Sequence, residues 1–149
     1  MRQLLRQLLA LRLTSNFTTT STSAQPTALS FSIGANEVWI VDCQITAQCS
    51  STGGIAYAVA APTGATIEGW VKSSTSAITT LSYQRLTAIN TLTSTALHTV
   101  ATTPAPDMIR FTITNGSTAG VVTIEVASKT SGQTTTLFLG SSLKAQRAA

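Results

Sequence analysis

Charge is what this sequence has least of. Asp, Glu, Lys and Arg together make up 9% of its 149 residues, against about a quarter in an ordinary soluble domain. The whole acidic set is Glu37, Asp42, Glu68, Asp107 and Glu125. No two of these are spaced as a glycosidase pair or a metal cage requires, although carboxylates from distant strands can still meet in space. The single histidine, His98, lies in Leu97-His98-Thr99-Val100. A nucleophile triad is defined by geometry, and this context reads as a half-exposed strand histidine. Patterns of the GxSxG, GxxxxGK(S/T), HExxH and EF-hand types are missing. Gly53-Gly54 lacks the helix and lysine that would cradle a phosphate. Nothing here reads as a catalytic, metal or cofactor site, and the expectation is a protein that is not an enzyme.

Cysteine is equally sparse. Cys43 and Cys49 are the only two, and there is no CxxC. They lie six apart in a strand-like run, about 20 Å at roughly 3.3 Å per residue. A disulfide needs Cα atoms within about 7 Å, so they read as small buried hydrophobes. With one histidine they cannot build a zinc site unaided. No apolar run approaches the ~20 residues of a membrane-spanning helix.

Thr and Ser fill the polar positions that charge leaves empty, and hydrophobic residues reach 43%, enough for one real core. Thr is β-branched and suits a pleated, half-exposed surface. A hydroxyl-coated sheet offers little charge repulsion to close neighbours. That composition fits a subunit packed in an assembly and equally a secreted β domain. The net charge is +4, but Arg2, Arg6, Arg12, Lys144 and Arg147 sit near the ends and the remaining cations singly. There is no basic stripe with interleaved aromatics, and no direct nucleic-acid partner is expected.

Residues 1–13, MRQLLRQLLALRL, carry a helical stripe of Leu4, Leu8 and Leu11, widened by Leu5 and Leu9, with Arg2, Gln3, Arg6 and Gln7 opposite. Arg6-Gln7 interrupts the apolar run that a signal peptide would need. A helix this short is unstable alone. The pattern predicts an amphipathic arm that docks on a partner or another copy, anchored by Leu4, Leu5, Leu8, Leu9 and Leu11. Lying on a membrane surface or packing on its own domain are the other uses of such a pattern. Residues 14–27 read as an extended Thr/Ser linker.

Residues 28–149 read as one β domain. Period-two alternation is clearest in Asp107–Ser128, where Ile109, Phe111 and Ile113 and then Val122, Ile124 and Val126 share inward faces. Asn115–Gly120 supplies turn residues, and the stretch reads as a hairpin. Residues 37–49 form the longest strand. In Ile55–Val59 the alternating alanines suggest both faces are covered. Residues 73–95 hold one or two strands, Ala96–Ala101 another, and Pro104-Ala105-Pro106 a break. Two strands close the chain at 134–140 and 142–147. About eight to ten strands with frequent turns predict an all-β antiparallel β-sandwich, jelly-roll-like in strand number. Of Trp39, Tyr57, Trp70 and Tyr83, the last two are the candidate ligand platform, for stacking on carbohydrate; aromatics in small β domains are more often core or interface anchors. Asn115-Gly116-Ser117 matches a glycosylation sequon but is first a turn signal.

Phe31-Ser-Ile-Gly-Ala-Asn-Glu-Val-Trp39, followed by the long strand, Thr52-Gly-Gly-Ile-Ala-Tyr-Ala-Val59 and Pro62, resembles small β-sandwich virion proteins of tailed bacteriophages. Met108-Ile-Arg-Phe-Thr-Ile-Thr-Asn-Gly116 and the strand at 137–147 extend the resemblance over residues 28–147. It implies a capsid, collar or tail component located in the virion and assembled in the host cytoplasm. The expectation is a homo-oligomer, a trimer before other states, that decorates or cements the shell by contacting other virion proteins such as the major capsid protein, with no membrane. The alternative is a tail fibre, spike or collar component that binds a receptor glycan.

Overall fold

A computed structural model describes residues 7–50, 54–74, 81–94 and 103–148. Every regular element among the described residues is a β-strand, and all strand pairs are antiparallel. The larger sheet contains β1 (Leu8–Arg12), β2 (Phe17–Thr19), β4 (Val38–Cys49), β6 (Thr66–Ser74), β7 (Leu81–Leu86), β8 (Ala105–Thr114), β10 (Thr135–Leu137) and β11 (Ser142–Arg147). Its strands run in the order β1-β11-β4-β8-β6-β7, and β10 bridges β4 to β2. The smaller sheet is β3 (Gln25–Ile33), β9 (Gly120–Ser128) and β5 (Ile55–Ala60), in the order β3-β9-β5. Against the eight to ten strands expected of a jelly-roll-like sandwich, the described residues hold eleven, divided eight and three.

One core joins the two sheets. From the larger come Trp39, Val41, Cys43, Ile45, Val71, Ile109, Phe111, Ile113 and Leu143; from the smaller, Leu29, Phe31, Ile33, Ile55, Tyr57, Val122, Ile124 and Val126. Along β8 the burial alternates strictly, which is the signature of a strand with one dry and one wet face. β5 is buried on both faces, as its alanines suggested. Its outer edge is closed by the irregular segment 87–94: Thr93 N–H donates to the Tyr57 carbonyl at 2.9 Å, and Asn90 N–H to Val59 at 2.8 Å. Covering an edge in this way removes a site for unwanted strand pairing.

The amphipathic helix expected over residues 1–13 is not formed in the described part of that segment, residues 7–13. Residues 8–12 are strand β1, paired with β11 from Leu8↔Gln146 to Arg12↔Ser142. Leu13 N–H donates to the Ser141 carbonyl at 2.8 Å, and Arg147 N–H to Gln7 at 3.0 Å. The leucines satisfy two periods at once. Read with period two, Leu9, Leu11 and Leu13 turn inward while Leu8, Ala10 and Arg12 turn out. A lone helix of this length is marginal in water, whereas β11 offers a full row of unpaired backbone groups that β1 satisfies. Residues 1–6, with Leu4 and Leu5, lie outside the described residues, as does the expected strand at 96–101.

The Asp107–Ser128 stretch is not a hairpin. β8 belongs to the larger sheet and β9 to the smaller, so Asn115–Ala119 is an arch between layers. The inward faces were read correctly, yet they meet across the core and not side by side. A second arch, Gly34–Glu37, joins β3 to β4 next to it. Asn36 N–H donates to the Gly116 carbonyl, Asn115 N–H to Glu37, and Asn115 Nδ2 to the carbonyls of Gly34 and Thr118. Asn36 takes φ 58°, a left-handed conformation that Asn tolerates. Pro106 does not break the chain; it is the second residue of β8, opposite Thr46. The segment expected to be a linker contributes β2 and the start of β3 at Gln25.

Candidate functional site

The outer face of the larger sheet collects the chemistry that the sequence scatters. Register sets Trp70 of β6 opposite Arg110 of β8 on one side and Arg85 of β7 on the other. The next row sets Lys72 between Met108 and Tyr83. Trp70 and Tyr83 meet edge to face, with centroids 6.3 Å apart and planes at 61°, a favoured aromatic geometry. Lys72 Nζ lies 5.7 Å from the Tyr83 ring centre, within cation–π range. Beside Trp70 is an open recess of about 360 Å³ lined by Ile40, Glu68, Gly69, Trp70, Arg85, Arg110, Phe111 and Thr112. Tyr83 is not part of that lining.

Both arginines of the recess have carboxylate partners. Arg85 Nη2 is 2.6 Å from Glu68 Oε1, and Arg110 Nε is 3.1 Å from Asp42 Oδ1. All four side chains are at least half exposed, so these pairs add little stability and exchange readily with solvent or ligand. The Glu68 contact holds the Arg85 guanidinium more firmly protonated than usual. Across the face, Arg12, Lys72, Arg85, Arg110 and Lys144 stand outward with only Asp42 and Glu68 as carboxylates. Five of the exposed large apolar side chains, Leu8, Ile40, Leu81, Tyr83 and Met108, share it. The Gly69 position has no room for a side chain, since a Cβ would stand 2.2 Å from the Arg110 carbonyl oxygen.

The other expected site residues fall as follows. Leu8 is 69% exposed, while Leu9 and Leu11 pack against this chain's own core. Of the aromatics considered for a platform, Trp39 and Tyr57 are core residues, 2% and 0% exposed. Trp39 Nε1 donates to Glu37 Oε2 at 2.9 Å. That bond, the Gly34 N–H at 2.7 Å and the Arg147 guanidinium at 3.0 Å hold the Glu37 carboxyl below the usual glutamate range. Asn115 of the sequon is 4% exposed with its amide donating twice, which leaves no room for a glycan. Cys43 and Cys49 are buried and not disulfide-bonded, and burial pushes both thiols up. His98 lies outside the described residues.

Sequence reasoning missed a polar cluster inside the sandwich. Asp107 is 0% exposed and accepts from the Tyr57 phenol at 2.5 Å and the Ser73 hydroxyl at 2.6 Å. Tyr57 and Ser73 are also fully buried, so the cluster ties β5 of one sheet to β6 and β8 of the other. Burial, with the Asp107 carboxylate second, drives the Tyr57 phenol well above its usual range and keeps it a donor. The available signal was parity: Asp107 shares the inward face of Ile109 and Phe111. The cluster is closed to solvent and acts as a bolt between layers. Among the described residues, no three His, Cys, Asp or Glu side chains converge as a metal site, and no helix is long and apolar enough to cross a membrane.

No family model matches the chain, and no curated protein matches it. Among solved structures, it is similar to a chain of one described as "Structure of infectious bursal disease virus Gx strain", at 10% identity and a TM-score of 0.24, over 95% of this chain and 36% of that one. The chain therefore spans about a third of that chain's length, and a likeness at this TM-score carries no argument about fold or function.

Proposed function

We propose that this chain is a structural protein of a bacteriophage particle, an oligomeric decoration or cement subunit that works by burying surface and performs no reaction. The observation that carries this reading is the outer face of the larger sheet. It groups Trp70, Tyr83, Met108, Arg85 and Arg110, the residue types enriched at protein interfaces and their hot spots. The hydroxyl-rich, charge-poor surface supports it, as does the phage-like order of residues 31–62 and 108–116. Attachment through a helical arm is withdrawn, because β1 is a strand whose inward leucines serve the chain's own core. Contact with the shell falls instead to the sandwich surface, where about 1,600 Å² per specific contact, repeated around a particle, would hold a shell.

Stained gels of purified particles test this. Hundreds of copies per particle, with a trimer in solution by light scattering, are the expected result. Absence from particles refutes it. A dozen or so copies favours the second reading, a tail component that binds a receptor glycan. The recess beside Trp70 supports that second reading, because an indole flanked by planar polar groups is a stacking platform for a sugar ring.

A further inference from the structure

We propose that the recess beside Trp70 is a binding site for a carboxylate-bearing saccharide. The pyranose ring would lie on the part of the indole that lines the recess, with its acid group between the guanidinia of Arg85 and Arg110. This inference rests on the glycan-binding reading and adds the chemical class of the ligand.

Four observations carry it. The volume, about 360 Å³, lies in the range of small-molecule sites. The indole is presented by packing: Tyr83 meets Trp70 edge to face without lining the recess, and Lys72 sits over the Tyr83 ring. The ring is therefore pre-set, which lowers the ordering cost of binding. Arg85 and Arg110 occupy the strands on either side of β6, each directly opposite Trp70, so their Cα atoms are about 10 Å apart at the ordinary strand spacing. A guanidinium carries five N–H donors in a fork that matches a carboxylate. The recorded ion pairs engage Nη2 of Arg85 and Nε of Arg110, and exposed pairs of this kind yield easily to a ligand. Glu68 and Thr112 also line the recess and can take the sugar hydroxyls.

The charge of the face decides for an acidic ligand over a neutral one: five cations stand beside two carboxylates. The same excess opposes pairing with an identical face of a second copy. A single-stranded nucleic acid needs successive stacking platforms. Here the second aromatic of the lining, Phe111, is a core residue only 2% exposed, and Tyr83 stands at 61° to Trp70.

The test is affinity electrophoresis of the full chain in gels containing polygalacturonate or, separately, neutral dextran. Trp70→Ala, Arg85→Gln and Arg110→Gln run alongside, each checked for folding by circular dichroism. In solution, tryptophan fluorescence follows the titration of the unsubstituted chain, because Trp39 is buried and Trp70 alone faces the recess. The expected result is retardation and a saturable spectral change with polygalacturonate, and neither with dextran. Each arginine substitution should weaken that binding about tenfold or more, the value of one charge-assisted hydrogen bond. Equal retardation by both polymers, lost in Trp70→Ala, overturns the acidic class and leaves the sugar platform standing. Retardation by polygalacturonate that survives all three substitutions reduces it to unspecific charge and overturns the site. No retardation by either polymer overturns both the site and the platform. Tighter binding of a single-stranded oligonucleotide at the same residues replaces the saccharide and overturns the inference.

Discussion

Tyr57→Phe removes one oxygen atom from the centre of the sandwich and should be among the more costly single-atom changes in this protein. The phenol donates to Asp107 Oδ2 at 2.5 Å, and Ser73 donates to Oδ1 at 2.6 Å. All three residues are fully buried, so water cannot replace a donor that is lost. The aromatic ring stays, and the packing term is close to nil. What disappears is a short hydrogen bond to a carboxylate, and such bonds contribute about 1.5–3 kcal/mol. At about 2–4 °C per kcal/mol for a domain of this size, the melting temperature should fall by about 3–12 °C. Urea unfolding followed by tryptophan fluorescence should show a lower midpoint at an unchanged slope, because the exposed area on unfolding does not change. Ser73→Ala should behave alike. The double variant should be non-additive, since both hydroxyls bond the one Asp107 carboxylate. A Tyr57→Phe protein within about 0.5 kcal/mol of the parent, with an additive double variant, refutes the idea that this cluster bolts the two sheets together.

Other outcomes follow from the same geometry. Leu8→Asp should change stability by less than about 0.5 kcal/mol, whereas Leu11→Asp should cost about 1–3 kcal/mol; on a helix the two positions share a stripe, so equal effects in thermal melts would restore the helix. Gly69→Ala forces a Cβ to within 2.2 Å of the Arg110 carbonyl oxygen, and should lose about 3 kcal/mol or fail to fold, while Gly132→Ala, at φ +75° in open space, should lose only about 1 kcal/mol in the same melts. The Glu37 carboxyl titrates below its ordinary value of 4.5, so its contribution is complete above that value and is lost as pH falls through the depressed one. Glu37→Gln should therefore be about 1–2 kcal/mol less stable at pH 7, with the gap closing in acid; a gap independent of pH in urea titrations would contradict this.

Much of the sandwich was legible because alternation is local. Ile109, Phe111 and Ile113 face inward for a reason contained in their own segment: a pleated chain with one apolar face has one stable orientation toward a core. The same reasoning could not say which strand lies beside which. β8 and β9 are separated by five residues, yet they lie in different sheets, because Asn115 and Gly116 bond to the Gly34–Glu37 arch and not to each other's flanking strands. The leucines of residues 8–13 fit either period, and the unpaired edge of β11, 130 to 138 positions away along the chain from Arg12↔Ser142 to Leu8↔Gln146, selected the strand.

The functional face shows the same division. Trp70 and Tyr83 could be named as a candidate stacking platform, but the basic residues looked scattered because Arg85 and Arg110 are distant from Trp70 in sequence. Only register brings all three into one row. What the amino-acid sequence determined alone was an all-β domain with a hydroxyl surface, since composition and period-two patterning act within a few residues. What tertiary structure decided was the pairing of strands, the fate of the leucine-rich segment and the assembly of the recess, since each depends on backbone hydrogen bonds between segments that meet only when the chain is folded.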